Sequence, residues 1–212
     1  MQDTAKSSHL DRRSEIIRIT TGLFLESGFA GTSMSAVAKA CGMTKASLYH
    51  HFKGKDALFI ACITEGYKDS LIELEAISND ASISPPEKIE KAVDILYAIT
   101  IGSPVGRMSP LIAEVSSSFP SVAKSFHEGY IAPQRAQVDE IVAQGVSSGH
   151  FRDMDPIIFS HLLFGPIVTL SLSREMFASF DDLDEHFPVD LLKRGHKEQI
   201  LATLSRKAAS NI

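Results

Sequence analysis

The side chains best suited to chemistry lie between Thr32 and Leu58, where the chain reads TSMSAVAKACGMTKASLYHHFKGKDAL. Lys45, Ser47, Tyr49, His50, His51 and Lys55 crowd ammonium, hydroxyl, phenol and imidazole groups into one short stretch. Such groups hydrogen-bond to phosphate oxygens and to base edges. They are not set out for bond making: the sequence has no nucleophile elbow, no glycine-rich phosphate loop and no His-Glu-x-x-His pair, so no catalytic residue and no cofactor is expected. Neighbours on a helix point about 100° apart, and no Cys, Asp or third His stands at ligand spacing from His50 and His51, so no metal site is expected either.

To act together these groups need a rigid support, and the same stretch supplies one. Thr32 can cap a short helix running through Ala40, and Thr44 can cap a second one running to about His51. Gly42 allows the tight turn between them. Val37 and Ala38 face inward, small Ala40 permits close approach, and Met43, Leu48 and Phe52 fill the core. The second helix is then presented end-on to a major groove, with Lys45 and Ser47 toward bases or phosphates and Tyr49 and His51 toward flanking phosphates. Lys55, at the start of the next helix, adds a cation where a phosphate would be favoured. Ahead of this pair, Asp11 to Ser27 forms a helix with Ile16, Ile17, Leu23 and Phe24 as its apolar stripe, ended by Gly28 and Phe29 in the pattern of a Schellman stop.

These pieces agree in order and spacing with one family. Gly28-Phe29, Thr32, Val37-Ala38, Gly42-Met43, Leu48-Tyr49, His51-Phe52, Lys55 and Leu58 resemble the TetR-type (tetracycline repressor-like) transcriptional regulators over about residues 11–70. Cys41 stands where Ala is commoner in that family. The resemblance implies a helix-turn-helix over residues 33–52, with Thr32, Ser33, Lys45, Ala46, Ser47, Tyr49, His50 and Lys55 as DNA contacts beside His51. It also implies a helical C-terminal domain, spanning 55–212 after a DNA-binding domain at 9–54, that binds an unidentified small-molecule effector and forms a homodimer through its last two long helices. Double-stranded operator DNA is the partner implied, and a repressor released by its inducer is the function implied. Activation by the same fold, or a small-molecule-binding protein or enzyme with a vestigial helix-turn-helix, are the alternatives.

Charge is distributed to match. Residues 1–55 hold eight basic and four acidic residues, a balance of +4, while the whole chain carries −5, so a basic module sits on an acidic body. Two cysteines, Cys41 and Cys62, make no disulfide framework, and no signal peptide precedes the helices, which points to the cytoplasm.

Apolar residues recur at helical spacing throughout, so the fold is expected to be all-α with about nine helices. A fourth helix should begin near Lys55, where Phe59, Cys62, Ile63, Gly66, Tyr67, Leu71 and Leu74 hold helical spacing for some five turns, an unbroken stripe that joins the two modules without a flexible linker. Ser84-Pro85-Pro86-Glu87 starts a helix to about Ile101, Asp155-Pro156 opens another through about Phe177, and further helices are expected over 110–117, 120–128, 131–148 and 189–207, with an acidic connector at 181–185. Ile157 to Leu172 reads as a buried helix, too short and too interrupted to span a bilayer, with a kink or break at Gly165-Pro166. Leu192, His196, Ile200 and Leu204 align as a candidate interface on the last helix. Tyr97, Met108, Phe126, Tyr130, His161 and Phe164 are the candidate pocket residues, although at helical spacing such side chains are more often plain core and His161 reads first as a core histidine.

Overall fold

Side-chain oxygens set where the principal helices begin. In the computed structural model, which describes residues 2–205 with side chains from Arg12 onward, α1 (Gln2–Gly31) leads to α2 (Met34–Ala40), α3 (Lys45–His51) and α4 (Lys55–Gly66). Ser33 Oγ accepts from Ala36 N and Thr44 Oγ1 accepts from Ser47 N, both at 3.1 Å, so each short helix starts on a cap that satisfies one of its orphan amides. The cap of α2 is thus Ser33, not Thr32. Gly28 at φ 69° ends the straight part of α1 and Gly42 at φ 62° turns the chain between α2 and α3, both conformations that a Cβ disfavours. α1 begins well before Asp11; Lys6, part of the basic balance, lies outside the described side chains.

The chain continues as α5 (Lys68–Asn79), α6 (Pro85–Gly102), a 3-10 turn, α7 (Ser109–Ser118), α8 (Pro120–Phe126), a π turn at His127–Ile131, α9 (Ala132–Ser147), α10 (Pro156–Met176), the single turn α11 (Leu183–His186) and α12 (Val189–Leu204). Joining the pieces that run on into each other, α4 with α5 and α8 with α9, gives nine rods besides α11 among the described residues, and no strand beyond an isolated Phe151–Ser205 bridge. Ser84 and Asp155 cap α6 and α10 as their sequences indicate, Asp155 Oδ1 accepting from Ile157 N at 2.8 Å and Ile158 N at 3.1 Å. The expected extension of the last helix to Lys207 falls outside the described residues.

The fourth helix is not unbroken. It bends at Tyr67, where α4 ends and α5 begins. At Gly66 a Cβ would come within 2.7 Å of a Val105 methyl, so the loop after α6 presses directly on the helix backbone there. Tyr67, buried against the same loop, donates its hydroxyl proton to the Val105 carbonyl at 3.4 Å. Periodicity shows only that both segments are amphipathic; the bend comes from a contact with residues almost forty positions away.

Two buried apolar clusters run through the molecule, and they do not divide at residue 55. The first gathers Ile16, Phe24, Val37, Leu48 and Phe52 with Leu58, Phe59 and Tyr67 of the next helix, then continues through Met108, Ile112 and Tyr130. The second joins α6, α9, α10 and α12 through residues such as Leu96, Tyr97, Ile141, Leu163 and Ile200. The module that carries α3 therefore shares one packed core with α7, α8 and the π turn.

α10 departs most from its sequence reading. It is continuous through Pro166, with no break. Proline at this position leaves the Leu162 carbonyl without its helical donor. His196 on α12 fills that role, Nε2 donating to Leu162 O at 3.2 Å while Nδ1 meets the Tyr97 hydroxyl, also at 3.2 Å. By length and hydropathy α10 could cross a membrane, and 28% of its most apolar window is buried within the single chain, so part of its apolar surface stays uncovered by its own fold. Its inner face of Phe159, Leu163, Ile167 and Leu170 is buried, whereas Ile157, Ile158 and Leu162 are left open. On α12, His196, Ile200 and Leu204 turn into their own chain, and the exposed apolar pair is Leu191 and Leu192.

This arrangement makes stability pH-dependent. Burial lowers the His196 pKa, partly offset by its bond to the Leu162 carbonyl, so the folded chain holds the imidazole neutral more firmly than the unfolded chain does. The contribution is complete above an unfolded pKa of about 6.5 and is lost as pH falls through the lower folded value. The thermal midpoint should therefore drop faster below pH 6.5 in the wild type than in His196→Gln, a comparison that removes the background of the other histidines. Parallel pH profiles would exclude the role.

Candidate nucleic-acid interface and apolar cavity

The corner formed by α2 and α3 is built from inside. Val37 and Leu48 are fully buried, with Ala38, Cys41 and Phe52 nearly so, while Ala40 faces solvent; the close approach assigned to Ala40 is made by Ala38. Two arginines of α1 clamp the corner. Arg12 donates to the Cys41 carbonyl at 2.5 Å, at the turn. Arg13 stacks over the Phe52 ring at 4.5 Å, reaches the His51 carbonyl at 3.5 Å and pairs with Glu65 of α4 at 2.9 Å. Both had been counted as part of a general basic balance, and nothing in their local sequence shows that they are committed internally.

Of the candidate DNA contacts, the structure brings Ser33, Lys45, Ala46, Tyr49 and His50 to the outer surface of the corner. Lys45 lies 6.0 Å from the centre of the Tyr49 ring, one helical turn on. Ser47 is half-buried, its amide held by the Thr44 cap, and His51 is half-buried beside Phe52. Thr32 does not face outward. It is buried and its hydroxyl lies against the carbonyls of Gly28 at 2.8 Å and Leu23 at 3.2 Å, which fixes the end of α1. Lys55 is also turned inward: Nζ donates to the Phe29 carbonyl at 2.6 Å and sits 4.3 Å over the Phe29 ring. Its ammonium therefore locks α4 to the end of α1 rather than standing free for a phosphate.

Removing Arg12, Arg13 and Lys55 from the available charge leaves a narrower basic surface. Lys39, Lys45 and Lys53 are exposed on the corner and none makes an ion pair among the described residues. Sequence reasoning singles out neither Lys39 nor Lys53, because in sequence they are indistinguishable from a lysine that folds inward.

Neither cysteine is set up as a reactive thiolate. Burial raises the Cys41 pKa, opposed by nearby Arg12, and pushes that of Cys62 up to about 12. Both thiols act as small packing residues.

Beyond the bend at Tyr67 lies a cavity of about 880 Å³ between α6, α7, the π turn, α9 and α10. This is within the size range of small-molecule sites. Phe126, Tyr130, His161 and Phe164 line it, together with Tyr67, which sequence reasoning had placed only on the helix stripe. Tyr97 and Met108 do not: both are buried in the apolar clusters. His161 is exposed at the mouth instead of buried, Nδ1 donating to Ile157 O at 2.9 Å, which leaves Nε2 as an acceptor. At the inner end the rings of Tyr67 and Tyr130 stack with centroids 3.8 Å apart, and buried Gln134 donates to the Tyr130 hydroxyl. The π turn that carries Tyr130 sits against α4, where Gly129 leaves its hypothetical Cβ 3.0 Å from a Thr64 methyl.

Comparison with known proteins agrees with this architecture. Residues 16–62 match the sequence profile of bacterial regulatory proteins of the tetR family. The HTH-type transcriptional regulator LmrA of Bacillus subtilis (strain 168) is 27% identical over 194 residues, covering 88% of this chain and 100% of LmrA. YerO of the same strain, an uncharacterized HTH-type transcriptional regulator, is 31% identical over 81 residues, 38% of this chain and only 28% of YerO. Among solved structures, the transcriptional regulator FadR of Bacillus subtilis in complex with stearoyl-CoA superimposes with a TM-score of 0.74 over 90% of this chain and 98% of FadR, at 20% identity. At that identity the likeness is one of fold.

Proposed function

We propose that the chain is a bacterial transcriptional regulator of the TetR family, a cytoplasmic, ligand-responsive repressor that binds operator DNA as a homodimer and is released when a small molecule fills the cavity. Lys45, Ala46, Tyr49 and His50 of α3 enter the major groove, and Ser33, Lys39 and Lys53 reach flanking phosphates. The two α3 helices of a dimer fall in successive major grooves on one face of the DNA, about 34–36 Å apart or somewhat wider.

The observation that carries this reading is the double position of Tyr67. Its ring is a wall of the cavity and also a member of the apolar cluster that holds α2 and α3 in place. A ligand that displaces the Tyr67–Tyr130 stack must move the end of α4 or the π turn, and the close packing of Gly129 on Thr64 and of Gly66 on Val105 passes that movement to the corner. Effector and operator then oppose each other because they favour different conformers, and the coupling is reciprocal.

The pairing of subunits rests on α10 and α12. The open apolar row of Ile158 and Leu162, continued by Leu191 on α12, forms a face on which a second copy can lie. The test is selection from a random double-stranded DNA library followed by a gel shift at moderate salt. A palindromic motif should be enriched and bound selectively. Sequence-indifferent binding, or none, would overturn the reading.

A further inference from the structure

The chemistry of the cavity restricts what can occupy it. The cavity lining holds the ions Arg135 and Asp139 and the imidazoles of His127 and His161; one turn apart on α9, Arg135 and Asp139 pair with each other at 3.5 Å. The neighbouring cations Lys124 and Arg107 are taken by Glu128 at 3.8 Å and Glu175 at 3.1 Å. Deeper in, every polar group is neutral. Gln134 donates to the Tyr130 hydroxyl, and the hydroxyls of Thr100 and Ser70 lie beside it. Burial raises the pKa of Tyr130 and pushes that of Tyr67 up to about 12, so both phenols keep their protons.

An ion entering this space loses its water and meets no unpaired opposite charge. A carboxylate would have to break the Arg135–Asp139 pair at the mouth, and the phosphates of a coenzyme A head would find no cluster of free cations there. A hydroxyl or carbonyl group, in contrast, finds both donors and acceptors in the Tyr130–Gln134 pair, while the rest of the molecule lies against Leu96, Ile112, Phe164 and Ile167.

We infer that the cavity selects an uncharged, mainly apolar molecule bearing one hydroxyl or carbonyl group, which is held at the inner end by Tyr130 and Gln134, and that it discriminates against anionic and cationic amphiphiles of the same length. This rests on the reading of the cavity as the effector site, and it sets the chain apart from FadR, whose likeness to it is one of fold.

Four ten-carbon probes test it on the full chain: 1-decanol, 2-decanone, decanoate and decylammonium, with binding followed at pH 7 by equilibrium dialysis. The two neutral probes should bind about tenfold or more tightly than either ion, because unmatched polar groups and charges are what such a site rejects. Tyr130→Phe, which keeps the ring stacked on Tyr67, should weaken the neutral probes about fivefold or more and leave decanoate unchanged. Gln134→Leu should do the same by removing the other anchor. If decanoate or decylammonium binds as tightly as 1-decanol, neutral selection is overturned while the effector site stands. Unchanged 1-decanol and 2-decanone binding in both variants overturns the assigned anchor. Saturable binding of none of the four overturns the inference and the effector reading of the cavity together.

Discussion

Replacing Lys39, Lys45 and Lys53 together with alanine should weaken operator binding by about two orders of magnitude per protomer at physiological salt, and flatten the slope of log affinity against log salt by about 0.9 for each lysine lost. The size follows from counterion release: each ammonium that meets a phosphate frees a condensed cation, and three exposed lysines outside any ion pair can each do so. The fold should survive, since none of the three is buried. Lys55→Met is the informative contrast. Losing the bond to the Phe29 carbonyl and the contact with its ring should cost about 2 kcal/mol of stability. It should lower the thermal midpoint while leaving the salt slope of the remaining folded protein almost unchanged. A salt slope that moves with Lys55 and not with the other three would reverse the assignment.

That contrast shows what the sequence could and could not reveal. Features set by neighbours in the chain were readable in advance: Gly28 and Gly42 at their turns, the Thr44, Ser84 and Asp155 caps, and the buried row of Val37, Leu48 and Phe52. Features set by a distant partner were not. The Thr32 hydroxyl stands next to α2, which marks it locally as a cap and a DNA contact, yet it bonds backward to α1. Lys55 and Arg12 carry charge that any local reading points outward, and both end on carbonyls more than twenty residues away. The same holds for the second half. Phe126, Tyr130 and Phe164 face the cavity while Tyr97 and Met108 face core, a distinction fixed by which helix lies opposite and not by residue type. Pro166 points to a kink or break because its cost is local; the helix stays continuous through it, and His196 arrives from α12 to satisfy Leu162.

If the homodimer pairs as proposed, placing glutamates at Ile158 and Leu162 should leave a monomer of 23.1 kDa by light scattering and abolish the two-protomer operator complex. Ile158 and Leu162 are 58% and 44% exposed in the single chain, so charge there leaves the protomer fold intact and helical content unchanged. In a two-fold interface each substitution occurs twice, so four carboxylates would be buried against one another without cations, at several kcal/mol for each ion. Such a penalty exceeds what an interface of ordinary size returns. The effect should reach the effector as well. Val168, His161 and Phe164 lie on the same helix and line the cavity, so in the proposed dimer α10 would present one side to the partner, one to the core and one to the cavity. Freed from its partner, that helix no longer holds the cavity mouth in place, and the affinity for 1-decanol should change along with oligomeric state. A double variant that stays dimeric places the subunit contact on some other surface; one that becomes monomeric yet binds 1-decanol as before separates the cavity from the interface and leaves the bend at Tyr67 as the sole route from ligand to DNA.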